Sequence, residues 1–207
     1  MLLCDIGNTS YHFLHVEHDY KKNVLIFDPS EVEETVYYIC VNPEVKPLLE
    51  RLENWIDLSL HVDMSNYYET IGIDRVMACE AIDYGIVIDA GSAITVDVVK
   101  YGIYDGGFIY PGLHAMEQTY KNISSALDYS FNFELPLGKM PKNSRDSVSY
   151  GYLKLLYSEV MSHKADIYLT GGDAKEFAKL FPKAIVDERL VFKGMKNIIK
   201  HAKELIC

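Results

Sequence analysis

The stretch that decides the fold is Ile86-Val-Ile-Asp89-Ala-Gly91-Ser92-Ala-Ile-Thr95-Val-Asp97-Val-Val99. An apolar run ends in a carboxylate, turns through glycine and serine, and returns as a second run whose alternation and β-branched residues predict a strand. Asp89 therefore stands where a strand meets a tight turn, beside exposed backbone N–H groups. These amides and the Ser92 hydroxyl can hold phosphate oxygens, while Asp89 can hold a cation. Because Gly91 has no side chain, a phosphate can approach the backbone.

The N-terminus repeats this pattern in Leu2-Leu-Cys-Asp5-Ile-Gly7-Asn-Thr-Ser10, where an apolar run is followed by Asp, one residue, Gly and small polar residues. Residues 11–16 then form the expected returning strand. Two ordinary surface hairpins are the simpler interpretation, yet hairpin loops prefer Asn-Gly or Asp-Gly within the turn itself. The repeat therefore predicts two phosphate-binding hairpins, one at the start of each half of the chain.

The composition limits the classes of protein to which the chain can belong. Its 207 residues are 49% hydrophobic and 24% charged, which is typical of a globular protein with one large domain or two small ones. The net charge of −10 argues against nucleic-acid or anionic-membrane partners, since both need clustered Lys and Arg. The cysteines at 4, 40, 79 and 207 form no Cys-x-x-Cys pair, so neither a zinc site nor a disulfide framework is indicated. Cys4, Cys40 and Cys79 lie in apolar runs and are expected as buried thiols.

The beginning of the chain and the length of its apolar runs bear on the compartment. Asp5 follows directly after the apolar run 2–4, which argues against a signal peptide. No apolar run approaches membrane-spanning length. We therefore expect a cytoplasmic protein.

Hydrophobic periodicity predicts an alternation of strands and helices. In the first half the expected strands are 2–5, 11–16, 23–28, 36–41 and 58–62, and the expected helices are 43–55 and 74–83. In the second half we expect the hairpin 86–99, a turn at 105–107, strands at 108–110, 167–170 and 184–186, and helices 112–127, 145–161, 174–181 and 191–205. Asp173 is the expected cap of helix 174–181.

The pattern restarts near residue 84, and no linker rich in Pro, Gly or Ser separates the halves. This organisation predicts an α/β protein of two similar halves, 1–84 and 85–207, with a cleft between them. Neither Gly-x-x-x-x-Gly-Lys-Ser/Thr nor Gly-x-Gly-x-x-Gly occurs, so a nucleotide would be bound by the paired hairpins. Gly171 and Gly172 would let a flat base or ribose approach the backbone.

Short motifs follow one another along the chain: Asp5-Ile-Gly-Asn-Thr9, Gly72-Ile-Asp-Arg75, Asp89-Ala-Gly-Ser92, Gly106-Gly-Phe-Ile-Tyr-Pro-Gly112 and Thr170-Gly-Gly-Asp173. Together they resemble the ordered motifs of type III pantothenate kinases, which belong to the actin/hexokinase/Hsp70 superfamily, and the resemblance covers nearly the whole chain. It implies two ribonuclease H-like or actin-like halves, each a mixed sheet with helices, and ATP in the cleft between them. The first half would carry the first phosphate motif and the substrate loop, and the second half the second phosphate motif and the adenosine motif. The implied reaction is the ATP-dependent phosphorylation of pantothenate to 4'-phosphopantothenate, a phosphotransfer to an alcohol and the first step of coenzyme A biosynthesis.

The resemblance also implies cofactors, namely ATP with Mg²⁺ and a monovalent cation, K⁺ or NH₄⁺. Asp89 matches the family's monovalent-cation ligand, and Asp5 would support magnesium through water. Ser92 stands in the place of a family threonine and keeps its hydroxyl, while His12 stands where the family often has a lysine. The ATP-binding residues implied in this way are Asp5, Ile6, Gly7, Asn8, Thr9, Ser10, Tyr11, His12, Ser92, Gly171 and Gly172.

The segment Gly72, Ile73, Asp74 and Arg75 matches the family's substrate-binding stretch. Asp74 matches the general base that orients the substrate hydroxyl, and its alternative role is the N-cap of helix 74–83. Arg75 would pair with the pantothenate carboxylate or orient Asp74, and a surface salt bridge is the alternative.

Two more positions match substrate contacts of the family. The family usually has a tyrosine seven residues before the Gly of Gly-x-Asp-Arg. Ser65 occupies that place here, so the role is assigned to Tyr67, with Tyr68 beside it and an ordinary loop tyrosine as the alternative. Ser144 aligns with a substrate-contacting threonine, and its alternative role is a helix N-cap.

A homodimer with the substrate pocket near its two-fold axis is also implied by the resemblance. Leu127, Tyr129, Phe131 and Phe133 support it, because aromatic residues are enriched at interfaces, although they could equally fill the core of the second half. The competing functions are another small-molecule kinase of the same superfamily, with a sugar or carboxylate substrate, and a non-catalytic regulator, since relatives have been named transcription accessory factors. No nucleic-acid or membrane partner is expected.

Overall fold

The computed structural model describes residues 1–204, which form two compact units. The first unit comprises Met1–Ile82 and the chain from Arg189 onward, and the second comprises Asp83–Glu188. The observed division therefore falls close to the expected boundary near residue 84. The assignment of the C-terminal residues to the second half was wrong, because the last helix packs within the first unit.

The described residues contain the following elements in chain order. The strands are β1 (Leu2–Ile6), β2 (Ser10–His15), β3 (His18–Asn23), β4 (Val36–Cys40), β5 (Trp55–Asp57), β6 (Gly85–Ala90), β7 (Ala93–Lys100), β8 (Ile103–Pro111), β9 (Ile167–Thr170) and β10 (Ile185–Val186). The α-helices are α1 (Lys46–Leu49), α2 (Ile73–Cys79), α3 (Leu113–Ile123), α4 (Ser144–Ser162), α5 (Ala174–Leu180) and α6 (Leu190–Glu204). The helix predicted at 191–205 is thus α6, and residue 205 lies outside the described residues.

Within residues 1–204 each unit has one five-stranded mixed sheet, and the two sheets share one topology. The strand order is β3-β2-β1-β4-β5 in the first unit and β8-β7-β6-β9-β10 in the second. In both sheets the first strand in sequence lies at the centre, antiparallel to the second strand and parallel to the fourth. The expectation of an α/β protein with two similar halves, each a mixed sheet with helices, is confirmed.

One part of the core of the first unit lies on one face of its sheet, because alternate residues of a strand point to the same side. Aromatic rings fill much of this core, with centroids 4.9 Å apart for Tyr11 and Phe27 and 6.2 Å apart for Phe13 and Trp55. The Trp55 indole donates a hydrogen bond to the Pro29 carbonyl oxygen at 3.2 Å. Other buried members of this core are Leu2, Cys4, Ile6, Val36, Tyr38, Cys40 and Leu49.

Helix α6 packs tightly against α2 in the first unit. Gly194 lies so close to α2 that a Cβ at this position would collide with the Met77 carbonyl oxygen. The Asn197 side chain donates a hydrogen bond to the Glu80 carbonyl oxygen at 2.9 Å. This close contact explains why the C-terminal helix belongs to the first unit.

The core of the second unit forms where α4 and α5 cover one face of the second sheet. Ile86, Ile88 and Ala90 of β6 point into it, while Val87 and Asp89 point to the opposite face, as strand alternation requires. Leu153, Leu156, Leu169 and Phe177 are among the fully buried residues that meet them. The apolar run before Asp89 thus supplies both the central strand and the core of this unit.

The strand predicted at 23–28 was wrong, since β3 occupies His18–Asn23 instead. The chain reverses at Val16, whose φ is 58°, so that polar residues pair along the sheet edge. An edge strand with solvent on its side needs no apolar face. The apolar residues that follow form a turn, in which Val24 and Phe27 pack on the core while Leu25 and Ile26 stay 88% and 85% exposed.

The elements predicted between residues 43 and 62 were also partly wrong. Only Lys46–Leu49 is α-helical, and turns over residues 48–52 then return the chain toward the sheet. Trp55 begins β5, which pairs with β4, whereas the predicted strand 58–62 is largely the 3-10 helix Leu58–His61. The core position of Trp55 therefore overrode the helical pattern.

The second unit departs from expectation at β8 and at two helix ends. The predicted turn 105–107 and short strand are one strand, Ile103–Pro111, because Gly106 and Gly107 pair with β7 beside a bulge at Val98 and Val99. The helix predicted at 112–127 ends at Ile123 and is followed by the 3-10 helix Ser125–Leu127. Asp173 occupies the N-cap position of α5, as predicted, but among the described residues its side chain makes no capping hydrogen bond.

The thiols of Cys4, Cys40 and Cys79 are free and buried, as predicted. Burial raises the pKa of the Cys4 thiol well above its usual value, so this sulfur stays protonated and unreactive at neutral pH. Among the helices of the described chain, none combines the length and the hydropathy needed to cross a membrane.

Candidate active site

Both predicted hairpins are present, and each turns directly after its motif aspartate. In the first, Ile6 pairs with Tyr11, so residues 7–10 form the turn, and the Gly7 N–H donates to the Ser10 carbonyl oxygen at 3.0 Å. In the second, Ala90 pairs with Ile94, so residues 91–93 form the turn, and the Gly91 N–H donates to the Ala93 carbonyl oxygen at 3.1 Å. In both turns the glycine N–H donates a hydrogen bond to the carbonyl oxygen of the last turn residue, but the first turn is one residue longer than the second.

The turn side chains that could meet a phosphate are open to solvent. Asn8 and Thr9 are exposed in the first turn, and Ser92 is exposed in the second. Their amide and hydroxyl groups can donate hydrogen bonds to phosphate oxygens. Exposure at these positions leaves these groups accessible to a phosphate.

Asp5 and His12 lie directly opposite one another on β1 and β2, so their side chains share one face of the sheet. His12 Nε2 lies 3.4 Å from Asp19 Oδ2, and the imidazole meets the Phe192 ring edge-on with centroids 4.8 Å apart. Burial lowers the pKa of His12, although its hydrogen bond with Asp19 opposes this shift. His12 is therefore largely neutral at pH 7, unlike the lysine that the family often has here.

Arg189 holds the hairpin that carries His12, and sequence reasoning did not find this residue. Its guanidinium donates to Asp19 Oδ1 from Nε at 3.0 Å and from Nη2 at 2.6 Å. It also donates to Glu17, at 3.1 Å to Oε2 and at 2.8 Å to the carbonyl oxygen. The hydrogen bond with Arg189 is the main reason why the pKa of Asp19 is lowered. No pattern in the sequence could link residues so far apart.

Asp74 lies in the first turn of α2, after Gly72 at the N-cap position. The N-cap alternative for Asp74 was therefore wrong, although its Oδ1 accepts a hydrogen bond from the Arg75 backbone N–H at 2.8 Å. Burial raises the pKa of Asp74, while hydrogen bonds from the backbone partly offset this effect. A carboxylate with a raised pKa is a stronger base, as general-base catalysis requires. A Cβ at residue 72 would touch Asp74 Oδ1, so glycine makes room for this carboxylate.

Arg75 is 5% exposed, which excludes the surface salt bridge considered for it. Its Nη1 donates to the Tyr68 hydroxyl at 2.5 Å, and the guanidinium carbon lies 5.8 Å from the centroid of the Tyr68 ring. Tyr67 instead donates to Glu80 Oε1 at 2.8 Å. The Tyr67 hydroxyl therefore bonds to Glu80, and the Tyr68 hydroxyl links directly to Arg75 of the Gly72–Arg75 segment. The substrate role of Tyr67 stays a prediction.

The turn after β9 packs directly on the end of β6. Gly171 has a φ of +88°, and a Cβ there would meet Asp89 Oδ1 and lie 2.5 Å from the Ala90 carbonyl oxygen. The Asp173 N–H donates to that same carbonyl oxygen at 2.9 Å. The structure therefore brings Gly171 and Asp89 together, as two motifs of the second unit, whereas a Cβ at Gly172 would meet no described atom within 4 Å.

Gly112 supports the second turn, a role that the motif contained but sequence reasoning did not explain. A Cβ at this position would collide with the Ser92 carbonyl oxygen and lie 2.6 Å from the Gly91 carbonyl oxygen. The Tyr152 hydroxyl donates to the neighbouring Pro111 carbonyl oxygen at 2.5 Å. The second turn thus packs against the backbone of Gly112, and Tyr152 of α4 holds the neighbouring Pro111 by a hydrogen bond.

Ser144 is the exposed first residue of α4. Asn143 is the N-cap, and its side chain accepts a hydrogen bond from the Asp146 N–H at 2.9 Å, so the capping alternative for Ser144 was wrong. Ser144 opens instead on a surface cavity of about 480 Å³. The other residues lining this cavity are Tyr120, Leu127, Lys142, Asn143, Ser147 and Val148.

The aromatic residues considered for a dimer interface are partly used inside the second unit. Phe131 stacks on Tyr152 with centroids 4.4 Å apart, and Phe133 meets Phe177 edge-on at 5.2 Å. Both therefore pack on the core, as the alternative interpretation held. Tyr129 remains 36% exposed.

The oxygen atoms at Asp5 and at Asp89 fit hard cations. Carboxylate, hydroxyl and carbonyl oxygens are the ligands that magnesium and the alkali metals prefer. Among residues 1–204, no three His, Cys, Asp or Glu side chains converge as for a transition metal.

Two known proteins that are similar to this chain over nearly its full length share one family description. A family model described as type III pantothenate kinase matches residues 29–164. Proteins named type III pantothenate kinase are 65% identical in Sulfurimonas denitrificans, over 98% of both chains, and 40% identical in Helicobacter hepaticus, over 97% of this chain and 98% of the relative. A crystal structure from Campylobacter jejuni, described as a Baf family transcriptional activator, is 38% identical with a TM-score of 0.88 and covers 99% of this chain and 100% of its own.

A more distant structure shares the fold alone. A protein from Sinorhizobium meliloti, described as a 2-dehydro-3-deoxygalactonokinase, has a TM-score of 0.57 at 8% identity, over 97% of this chain and 96% of its own. Two sheets of one topology, each with a glycine turn after an aspartate, define a duplicated α/β fold that this chain shares with that protein. The family match and the full-length relatives make the assignment specific, and the chain belongs to the type III pantothenate kinase family.

Proposed function

We propose that this chain transfers the γ-phosphoryl group of ATP to the hydroxyl of pantothenate, with Asp74 as the general base. The observation that carries the proposal is the half-buried Asp74 carboxylate at the start of α2, with its raised pKa, in a chain of this family. Phosphoryl transfer depends chiefly on positioning, charge neutralisation and an oriented nucleophile. The described residues offer a candidate for each of these requirements.

Asp74 would accept the proton of the attacking hydroxyl. The Arg75 N–H and the first turn of α2 hold its carboxylate in one orientation. The Arg75 guanidinium in turn holds the Tyr68 hydroxyl. We infer that Arg75 orders the substrate loop and that Tyr67 or Tyr68 contacts pantothenate, while Ser144 supplies a further hydroxyl contact.

The two hairpin turns would bind the ATP phosphates. The first offers the exposed Asn8 and Thr9, and the second offers the exposed Ser92. Magnesium near Asp5 and a monovalent cation at Asp89 would neutralise phosphate charge when bound. Gly171 and Gly172 would admit the adenosine.

The proposed monovalent-cation site can be tested by exchanging the cation in the assay. If Asp89 holds an ion of the size of K⁺ or NH₄⁺, activity should rise when either replaces Na⁺ at equal ionic strength, because an ion that fits its oxygen ligands without strain is bound better. Initial rates in NaCl, KCl and NH₄Cl measure this. Equal rates in all three salts would contradict the cation assignment but not the kinase activity.

We also infer a homodimer, on the resemblance and on apolar side chains that the second unit leaves exposed. Ile109, Ile123 and Met140 are 63%, 67% and 72% exposed. Light scattering should give a mass near twice 23.6 kDa. A fully active species at the mass of a single chain would exclude the dimer and any pocket shared between two copies.

A cytoplasmic location also stays a prediction, and the free thiols of Cys4, Cys40 and Cys79 agree with a reducing compartment.

A regulatory role is the second candidate, because the similar Campylobacter jejuni structure is described as a transcriptional activator. The net charge of −10 argues against direct DNA binding. The raised pKa of Asp74 argues for a retained catalytic function.

One assay separates these functions. Purified protein is given Mg-ATP and pantothenate, and both ADP and phosphopantothenate are measured. We expect pantothenate-dependent ADP formation with one phosphopantothenate for each ADP. A sugar or sugar acid that serves instead of pantothenate would indicate another kinase, and no turnover with any of them would favour the regulator.

A further inference from the structure

Asp89 lies between two threonines in the second sheet. It pairs with Thr95 across the antiparallel strands β6 and β7, and with Thr170 across the parallel strands β6 and β9. Residues in register on neighbouring strands project from the same face, and such strands lie about 4.8 Å apart. The carboxylate of the predicted cation site therefore has a hydroxyl-bearing neighbour on each side.

The hydroxyl of Thr95 stands out among the described side chains. Its Oγ1 atom is buried and makes no hydrogen bond with any residue that the structure describes. Buried polar atoms in folded proteins nearly always have a partner, which can be protein, water or an ion. Thr95 is thus a polar group whose partner has to come from outside the described chain.

The oxygen atoms around Asp89 are of the kind that a cation of low charge prefers. A Cβ at Gly171 would meet Asp89 Oδ1 and lie 2.5 Å from the Ala90 carbonyl oxygen, so these two oxygens lie close together against the glycine backbone. One carboxylate with carbonyl and hydroxyl oxygens matches a weakly hydrated monovalent ion, which neutral oxygens can coordinate. Magnesium, by contrast, keeps most of its water and demands octahedral geometry.

We propose that the Thr95 hydroxyl is a ligand of the monovalent cation at Asp89, with Thr170 contributing from the other side. This inference rests on the proposed cation site and adds ligands that the motif resemblance does not assign. The ion would satisfy the buried hydroxyl, and the β6–β7 register holds Thr95 directly opposite Asp89. Thr95 is thus a positioning residue, which acts on the reaction through the cation.

The test measures cation binding directly, without turnover. Thallous ion, a spectroscopic substitute for potassium, is titrated into the protein and followed by ²⁰⁵Tl NMR, and the melting temperature is recorded in KCl and NaCl at equal ionic strength. The variants are Thr95→Val, which keeps the shape and removes the hydroxyl, Thr95→Ser, which keeps the hydroxyl, and Asp89→Asn. Thr119→Val is the matched control, because the exposed Thr119 hydroxyl bonds only within its own helix, to the Ala115 carbonyl oxygen.

We expect Thr95→Val to weaken thallous binding by about tenfold or more and to lose the stabilisation by KCl, as loss of a group that supports a metal site does. Thr95→Ser and Thr119→Val should bind as the wild type does. In NaCl, Thr95→Val should melt no lower than the wild type, because it removes a buried hydroxyl without a protein partner.

Two results would overturn the inference. If Thr95→Val binds thallous ion as tightly as the wild type while Asp89→Asn does not, water satisfies the hydroxyl and only the Asp89 site stands. If Asp89→Asn also binds normally, or the wild type binds no thallous ion, the cation site itself is lost. Pantothenate-dependent turnover, measured separately, would still stand or fall by its own assay.

Discussion

The two glycine hairpins share a motif and a strand topology, but different forces hold them. The first turn has the longer loop, and β3, which pairs with the second strand of this hairpin, is held by ion pairs from Asp19 to Arg189. The second turn rests on the backbone of Gly112 and adjoins Gly171, with no room for side chains. Ion pairs near a surface tolerate substitution and weaken as the salt concentration rises. Close packing of backbone against backbone tolerates little added volume and does not depend on salt. The duplicated fold therefore contains one adjustable hairpin and one rigid hairpin.

The largest expected effect is on kcat and comes from Asp74, which lies in neither hairpin. Asp74→Asn should lower kcat by about 100- to 10,000-fold, the usual contribution of a general base, because the shape is kept and the proton acceptor is lost. Burial raises the pKa of Asp74 above its usual 3.8, so the folded chain favours the uncharged form. The variant should therefore melt no lower than the wild type at pH 7, which separates lost chemistry from lost folding.

The matched control is Asp166→Asn, which changes an exposed carboxylate just before β9. More than half of wild-type turnover in Asp74→Asn would show that Asp74 has only a local structural role.

The pH dependence of the wild type tests the same carboxylate. The base must be deprotonated to act, so kcat/KM should fall as the pH drops through the raised pKa of Asp74. The acidic limb should therefore lie above the usual 3.8 of an aspartate. A limb at or below that value, measured under saturating Mg-ATP, would argue against a buried base.

The rigid hairpin predicts the next largest effect. Gly112→Ala should cost about 1–3 kcal/mol of unfolding free energy, as overpacking does, because its Cβ would press on the backbone of Gly91 and Ser92. Affinity for ATP should fall with it, since the turn is displaced. Urea unfolding and binding of a fluorescent ATP analogue measure the two effects.

Gly7→Ala and Gly138→Ala are the comparisons for stability. A Cβ at Gly7 would come no closer than 3.9 Å to any described atom, the Ser10 carbonyl oxygen, and one at Gly138 would meet none within 4 Å. If Gly7→Ala destabilises the chain as much as Gly112→Ala, the contrast between a rigid and an adjustable hairpin is wrong.

The adjustable hairpin predicts the smallest effect. Arg189→Gln should cost about 1 kcal/mol of unfolding free energy, the upper end for partly exposed ion pairs, and less in 1 M salt. Because the pKa of Asp19 is lowered from 3.8, this stabilisation is present above pH 3.8 and is lost as the pH falls through the lower folded pKa.

Urea unfolding at low and high salt measures this loss, and Lys175→Gln provides the control. Lys175 pairs with Glu188 in a fully exposed position, so its loss should leave stability unchanged. A cost for Arg189→Gln that does not depend on salt would indicate packing of the arginine stem instead of ion pairing.

The sequence predicted the parts of the fold that depend on local pattern. The strands β1, β2, β6 and β7 were found because their apolar residues alternate and end at glycine turns. The strand β3 was missed because an edge strand with polar residues has no such pattern, and the glycines at 106 and 107 concealed the length of β8. In these cases pairing with a neighbouring strand, which the local sequence does not show, decided the structure.

The candidate site likewise contains some residues that a local motif predicts and others that only tertiary packing brings to it. Asp5, Asp74 and Asp89 could be proposed as site residues because short motifs mark them. Arg189 and Asp19 were missed because their contact depends on tertiary packing, and Gly112 was noted only as part of a motif. The pKa of Asp74 likewise depends on burial, which no short motif reveals.

The place of α6 has a consequence for the order in which a nascent chain can fold. The contact of Gly194 with Met77 joins residues that a ribosome releases at very different times. Residues 83–188 form a continuous segment that can complete its core without the last helix, whereas the first unit must wait for that helix. We expect a chain truncated before Leu190 to keep protease protection in the second unit and to lose it in the first. Asp74, the proposed general base, thus reaches its final environment only once the last helix of the chain has been made.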